Sequence, residues 1–484
     1  MDADLVAIAT SISEELLDSQ SPTQKEIALC GPAVVRILLA ACLALLPEYQ
    51  ITELDPVEPE LDAKSLSAGP RVLCDLAQQH IDSIPFNLVP PRWLRLYTDA
   101  YIISTLIDIV CQQSIEGQQK NLRLGADIQQ LDKVIIVAGA LGPGRHRWVQ
   151  TLIKKAQAVV FGTEDDIAAE VPQETIFSSS QNSDSNSSTA PDPNSSLLYA
   201  PNHIEILQKI PSMRAYESIH SHSPFIIRKY ASQKDSACFW PATELWSSPK
   251  YLLKQAGPGR VVPVEIGGAY DQANWGQEII PFESFLERAG FNGTFQQKRS
   301  APSTCYLAQY DIFNQIPELA KDICYPDYVW SEPSRPSIGP AYSPPHGSPV
   351  VNVWVGNGSG EIISPAHTDP YHNCYVQVLG SKRVWLAPPW CSDHMYCYGA
   401  GDDDSTSDGL AEQYMTNTSR VPLLRDPVEF EKESLRFPAF FETVRPQSME
   451  AVLNPGDLLV FPPGWWHAMR TEGEGPVWSV SMWY

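Results

Sequence analysis

The chain is short of positive charge. It sets 34 Lys and Arg against 57 Asp and Glu, a formal net charge of −23. Binding to nucleic acid requires basic side chains that displace counterions from phosphates, so no direct DNA or RNA ligand is expected. A basic protein or peptide, of histone or ribosomal type, is the complementary partner, although charge of this sign also keeps a protein in solution. Long apolar runs are missing as well. Nothing approaches the roughly 18–20 residues that cross a bilayer, and the stretch from Ala33 to Leu46 reads as a buried helix. Ten cysteines occur without a CxxC pair, which excludes a disulfide framework and the common zinc patterns. Cys391 and Cys397 flank His394 at a spacing that suits no zinc site. With no recognisable secretory segment, the cysteine usage predicts a reduced setting, the nucleus and/or cytoplasm. The pairs Lys154-Lys155 and Lys298-Arg299 are too short to decide between them.

What is present divides by texture. Residues 1–170 read as an α-helical support or interaction domain. Helical periodicity runs from Trp93 to Val110, and two further helices between Asp132 and Ala156 are broken at Gly142-Pro143-Gly144. Residues 171–200 are dominated by Ser, Asn, Asp and Pro, a composition that cannot bury enough apolar surface to offset chain entropy, and they predict a disordered linker. From 201 to 484 short β-type runs alternate with Gly and Pro turns. They include Val261 to Ile266, Val350 to Val355, Cys374 to Leu379, Arg383 to Leu386, Asp457 to Phe461 and Val477 to Trp483. These predict an antiparallel sandwich or barrel interrupted by one helix near Phe282 to Arg288.

The chemistry gathers at His367-Thr368-Asp369. In extended chain, residues i and i+2 share a face, so both side chains can reach one ion. His467 supplies the third candidate ligand: the run Pro455-Gly456-Asp457 feeds a strand that ends at Pro462-Pro463-Gly464, and His467 opens the next. Two imidazoles and one carboxylate leave coordination positions open, the facial arrangement of non-haem Fe(II) oxygenases. An HxD pattern alone is weakly specific. Asn373, six residues after His367, and Lys382, nine further on, add a co-substrate signal. A buried lysine near a metal is costly unless an anion neutralises it, and the distal carboxylate of 2-oxoglutarate would do so.

The segments Ser364-Pro365-Ala366-His367-Thr368-Asp369-Pro370, Gln377-Val378-Leu379-Gly380 and Trp465-Trp466-His467 resemble the JmjC oxygenases. Within that group the chain is similar to the JmjC-only proteins described as protein-arginyl hydroxylases and putative histone H3 lysine-36 demethylases. Tyr306-Leu307-Ala308-Gln309, Pro263-Val264-Glu265-Ile266-Gly267 with Tyr270 and Trp275, and Asn417-Thr418-Ser419 carry the narrower likeness. The resemblance covers residues 200–484. It implies a double-stranded β-helix with its core at about 345–484, following the N-terminal all-α domain. It also implies iron on His367, Asp369 and His467, and 2-oxoglutarate on Tyr306, Ser364, Asn373 and Lys382, with Trp354 lining the pocket. O₂ would be the co-oxidant. Glu265 and Trp275 would hold the substrate side chain, since a carboxylate and an aromatic face together grip a guanidinium.

The chain departs from that pattern in three places. The stretch from Trp354 to His367 is about two residues longer than the family norm, Tyr398 to Glu412 inserts the acidic run Asp402-Asp403-Asp404, and the sequence ends at Tyr484, from which a monomer is expected. Three functions compete. Hydroxylation of arginine in a basic protein is favoured by Glu265. Demethylation of N-methyl-lysine is the second, and a catalytically inactive cupin-like binding module the third.

Overall fold

The computed structural model describes residues 2–46, 63–110, 117–162, 197–270, 275–291, 304–333, 342–347, 349–399 and 415–484. Nearly all of the expected linker, and the whole of Asp402-Asp403-Asp404, lie outside the described residues. The chain separates into two compact units, Met1–Gln173 with Ala256–Val262, and Glu174–Gln255 with Pro263–Tyr484.

Among the described residues the first unit holds seven α-helices: α1 (Ala3–Leu17), α2 (Pro22–Ala28), α3 (Pro32–Leu43), α4 (Ala63–Asp82), α5 (Pro91–Val110), α6 (Gly117–Ala138) and α7 (Arg145–Phe161). Local signals set their starts. The Asp2 carboxylate accepts the Asp4 N–H at the head of α1, and the Ser21 hydroxyl accepts the Gln24 N–H ahead of Pro22 in α2. Helix α5 is buried around its whole girth and forms the centre of the unit. The break at Gly142 is obligatory: its φ is +121°, and a Cβ there would lie 2.0 Å from the Arg95 guanidinium.

Residues 256–262 join this unit through a buried ion pair. Asp132 on α6 takes Arg260 Nη2 at 2.7 Å and Nε at 3.0 Å, and accepts the Val261 N–H at 2.9 Å. Asp132→Ala removes the carboxylate from around a guanidinium that is itself 5% exposed. A loss of about 3–5 kcal/mol is expected, read as a lower urea midpoint for the helical unit. A midpoint equal to that of the wild type would show that this pair contributes nothing.

The second unit is built on fourteen strands among the described residues: β1 (Asn202–His203), β2 (Glu205–Ile206), β3 (Phe225–Ile227), β4 (Val261–Ile266), β5 (Gly276–Pro281), β6 (Cys305–Tyr310), β7 (Val350–Asn357), β8 (Ile363–His367), β9 (Asn373–Leu379), β10 (Ser381–Ala387), β11 (Met449–Leu453), β12 (Leu458–Phe461), β13 (Trp466–Glu472) and β14 (Pro476–Trp483). They form a five-stranded sheet ordered β1-β11-β10-β13-β8 and a nine-stranded sheet ordered β2-β3-β12-β9-β14-β7-β6-β4-β5. Strands β7 to β14 pass back and forth between the sheets, giving the double-stranded β-helix expected from the sequence. Tyr375, Leu459 and Phe461 from one sheet pack against Val384, Leu386 and Met469 from the other.

The single helix expected in this half is found at Phe282–Arg288, but it is not alone. Met213–Ser218, Ala242–Leu245, Pro249–Ala256, Ile312–Gln315 and Pro427–Lys432 are helical too. Each has four to eight residues, too few turns for a 3.6-residue period to stand out in sequence.

Candidate functional site

Strand pairing brings the two histidines together across a hundred residues of chain. His367 is the last residue of β8, His467 the second of β13, and the two are direct antiparallel partners. The ladder slips between this pair and the Met469–Ser364 pair, so a bulge at Pro365-Ala366 turns His367 inward. The imidazole centroids lie 4.2 Å apart. Asp369 Oδ2 sits 3.5 Å from His467 Nε2 and 4.0 Å from His367 Nε2. All three ligand atoms lie within 4.8 Å of one another.

The tautomers follow from the backbone. His367 Nδ1 faces the Pro365 carbonyl at 2.8 Å and His467 Nδ1 the Trp465 carbonyl at 3.0 Å. A carbonyl only accepts, so each Nδ1 carries a proton, and each Nε2 is the ring atom turned towards Asp369 that a metal would take. Burial, reinforced by the neighbouring His467, pushes the His367 imidazolium down to about 4, so this ring is neutral at neutral pH. Burial works to raise the Asp369 carboxyl, but the two imidazoles outweigh it and hold the group below its usual range. Two imidazoles and an ionised carboxylate converging on one point fit a divalent transition metal.

Lys382 enters the barrel from β10 and is 2% exposed. Its Nζ donates to Tyr306 Oη at 3.1 Å and Tyr375 Oη at 2.8 Å, with no acidic partner among the described residues. Burial pushes its ammonium down to about 7. An ammonium in a dry cleft between two phenols, without a counter-charge, fits a carboxylate ligand. Burial also keeps Tyr306 a phenol, against a smaller opposing influence of Ser364. Asn373 leaves its buried Oδ1 without a partner. The Trp354 indole donates to Ser481 Oγ at 2.9 Å and its ring faces Tyr306. One narrow cleft is lined by His367, Asp369 and His467 together with Tyr306, Trp354, Ser364, Asn373 and Lys382, so every residue expected to hold metal or co-substrate meets there. Tyr375 was missed. It lies two residues beyond Asn373 on β9, on the same face, and the period-two rule applied to Asn373 would have found it.

The cleft opens into a wider cavity of about 510 Å³. Glu265, paired with Tyr306 between β4 and β6, projects into it. Among the described residues the lining contains no Lys or Arg; Glu265 and Asp369 are its only charged members. Burial raises the Glu265 carboxyl, opposed by the Trp275 indole. That indole N–H makes no well-formed hydrogen bond, so its effect on Glu265 is electrostatic. Trp275 flanks Glu265 without lining the cavity. Tyr270, Tyr371, Asn417 and Trp483 do line it, and of these only Tyr270 and Asn417 were marked by sequence, as family likenesses without a role.

Comparison with known proteins agrees with this geometry. The family model described as "Cupin-like domain" matches residues 212–484. The Drosophila melanogaster Jumonji C domain-containing protein 5 is 33% identical over 245 residues, 51% of this chain and 52% of that protein. Lysine-specific demethylase JMJ30 of Arabidopsis thaliana is 34% identical over 250 residues, 52% of this chain and 48% of the relative. Lysine-specific demethylase 8 of Xenopus tropicalis is 31% identical over 246 residues, 51% and 45% respectively. The chain thus spans about half the length of the curated relatives it matches. With its double-stranded β-helix, its His-Asp-His cluster and this match over more than half its length, the chain belongs to the cupin-like JmjC oxygenase family.

Proposed function

We propose that the chain is an Fe(II)- and 2-oxoglutarate-dependent oxygenase that hydroxylates an arginine side chain of a basic protein. His367, Asp369 and His467 would hold the iron, and Lys382, Tyr306, Tyr375, Ser364 and Asn373 the 2-oxoglutarate. Together with O₂ the bound pair supplies the oxidant that inserts oxygen into a C–H bond. The chain's own contribution is to ligate, orient and keep water out. Lys382 offers a charge to the far carboxylate, the two phenols fix its position, and Trp354 closes the side of the cleft.

The observation that carries the substrate class is Glu265. Among the described residues its carboxylate lies in a cavity whose lining has no Lys or Arg, and no cation faces it. A guanidinium would complete it with paired N–H donors and lie against the surrounding aromatic rings. Mass spectrometry of basic peptides after incubation with iron and 2-oxoglutarate tests this: gain of one oxygen on arginine is expected. Glu265→Gln should raise KM for such a peptide about tenfold to a hundredfold, the worth of a hydrogen bond to a charged group. An unchanged KM would remove Glu265 from substrate recognition.

N-methyl-lysine demethylation is the second reading, supported by relatives named lysine-specific demethylases. Its signature is loss of a methyl group from lysine with no change on arginine, and that result would reverse the order of the two.

A further inference from the structure

We infer that Asn417 is a positioning residue of the metal centre, holding the two peptide planes that connect the His367 and Asp369 ligands. The inference rests on the metal assignment above. Strand β8 is the edge of the five-stranded sheet, with β13 on its inner side. Residues 417–419 close its outer side. Ser419 N–H donates to the Ala366 carbonyl at 2.8 Å, His367 and Thr418 form an antiparallel bridge, and Thr368 N–H donates to the Asn417 carbonyl at 3.1 Å. The Asn417 side chain then adds a contact of its own, its Nδ2–H donating to the Thr368 carbonyl at 2.9 Å.

One residue therefore engages both main-chain groups of Thr368. The Thr368 N–H belongs to the peptide that follows His367, and its carbonyl to the peptide that precedes Asp369. His367 sits at the last position of β8 and Asp369 lies beyond it, so the ladder to β13 holds the histidine but not the carboxylate. Rotation of the Thr368–Asp369 peptide would swing the carboxylate away from the imidazoles, and the carboxamide of Asn417 opposes that rotation. The following carbonyl, of Asp369, is held by Gly464 N–H at 2.8 Å, which ties the same stretch to the turn ahead of His467. Segment 417–419 is itself anchored from behind, where Tyr398 N–H donates to the Thr418 carbonyl at 3.0 Å. A short side chain ending in an N–H donor is what this position requires. Aspartate has the shape without the donor and would set an anionic oxygen against a carbonyl.

Co(II) binding, followed by calorimetry and by the visible d–d bands without 2-oxoglutarate, reads the site with no turnover. Asn417→Ala and Asn417→Asp are each expected to raise the Co(II) Kd about tenfold to a hundredfold, the range seen for groups that orient metal ligands. Both should alter the d–d spectrum while leaving the far-ultraviolet circular dichroism of the whole chain unchanged. Thr416→Ala, at an exposed position one residue earlier, should match the wild type in both readouts. Wild-type affinity and spectrum in Asn417→Asp would overturn the inference, as would an equal loss in Thr416→Ala. A wild-type chain that takes up no Co(II), or a His367→Ala variant that binds it as well as wild type, would instead overturn the metal assignment.

Discussion

In His367→Ala and in Asp369→Ala, iron-dependent consumption of 2-oxoglutarate is expected to fall by about three orders of magnitude or more. Each change removes one of three converging ligands, and a bound metal is worth several kcal/mol of stabilisation where charge develops, at about 1.4 kcal/mol per tenfold in rate. The two variants should lose metal to different degrees. His367 is gripped by its strand partner His467 and by the Pro365 carbonyl, so its loss empties a fixed position. Asp369 lies outside the ladder, and its removal also takes away the negative charge that would balance the ion. Turnover measured at saturating iron, with metal content determined by dialysis, distinguishes weak binding from a bound but idle ion. Turnover that survives in both variants would remove these residues from the metal site.

Replacement of Lys382 by methionine is expected to raise the KM for 2-oxoglutarate by about two orders of magnitude, with a smaller effect on kcat. Truncating one member of a buried charge pair costs on the order of 2–5 kcal/mol, much of it from leaving the other charge unpaired. Methionine keeps most of the volume, so the loss isolates the charge. The wild type should also show a pH dependence that the variant lacks. With its ammonium pushed down to about 7 by burial, Lys382 is cationic below that pH and receives a carboxylate directly. Above it the free lysine is neutral, and binding must take up a proton. The apparent affinity for 2-oxoglutarate should therefore fall as pH rises past about 7, by up to about tenfold per unit. A flat KM profile in the wild type, or an unchanged KM in Lys382→Met, would place the co-substrate elsewhere.

Much of the β unit could be read in advance because its strands are short apolar runs bounded by Gly and Pro. The runs at Val261, Val350, Cys374, Arg383, Asp457 and Val477 all became strands. The candidate metal cluster was also legible, since the i, i+2 geometry of His367 and Asp369 is local and His467 opens a strand that a Pro-Pro-Gly turn announces. Short helices such as Ala242–Leu245 and Ile312–Gln315 were not legible, because their ends depend on packing rather than on a repeating pattern. Tyr375 went unmarked because its role needs two facts at once: its face on β9, and a Lys382 ammonium 2.8 Å away that arrives from the other sheet.

The sequence by itself determined the family, three side chains able to hold a metal and residues able to hold an anion beside them, because each rests on residue type at a fixed spacing. Only the tertiary structure decided how they act together. The antiparallel partnership of β8 and β13 makes His367 and His467 neighbours, and burial with no acidic partner among the described residues gives Lys382 an ammonium in need of a carboxylate. The bond from Asn417 to Thr368 joins positions 49 residues apart, and among the described residues the cavity around Glu265 is lined without Lys or Arg because of which strands meet there. Electrostatics and hydrogen bonding act through space, and distances in space are set by strand pairing that no local stretch of sequence contains.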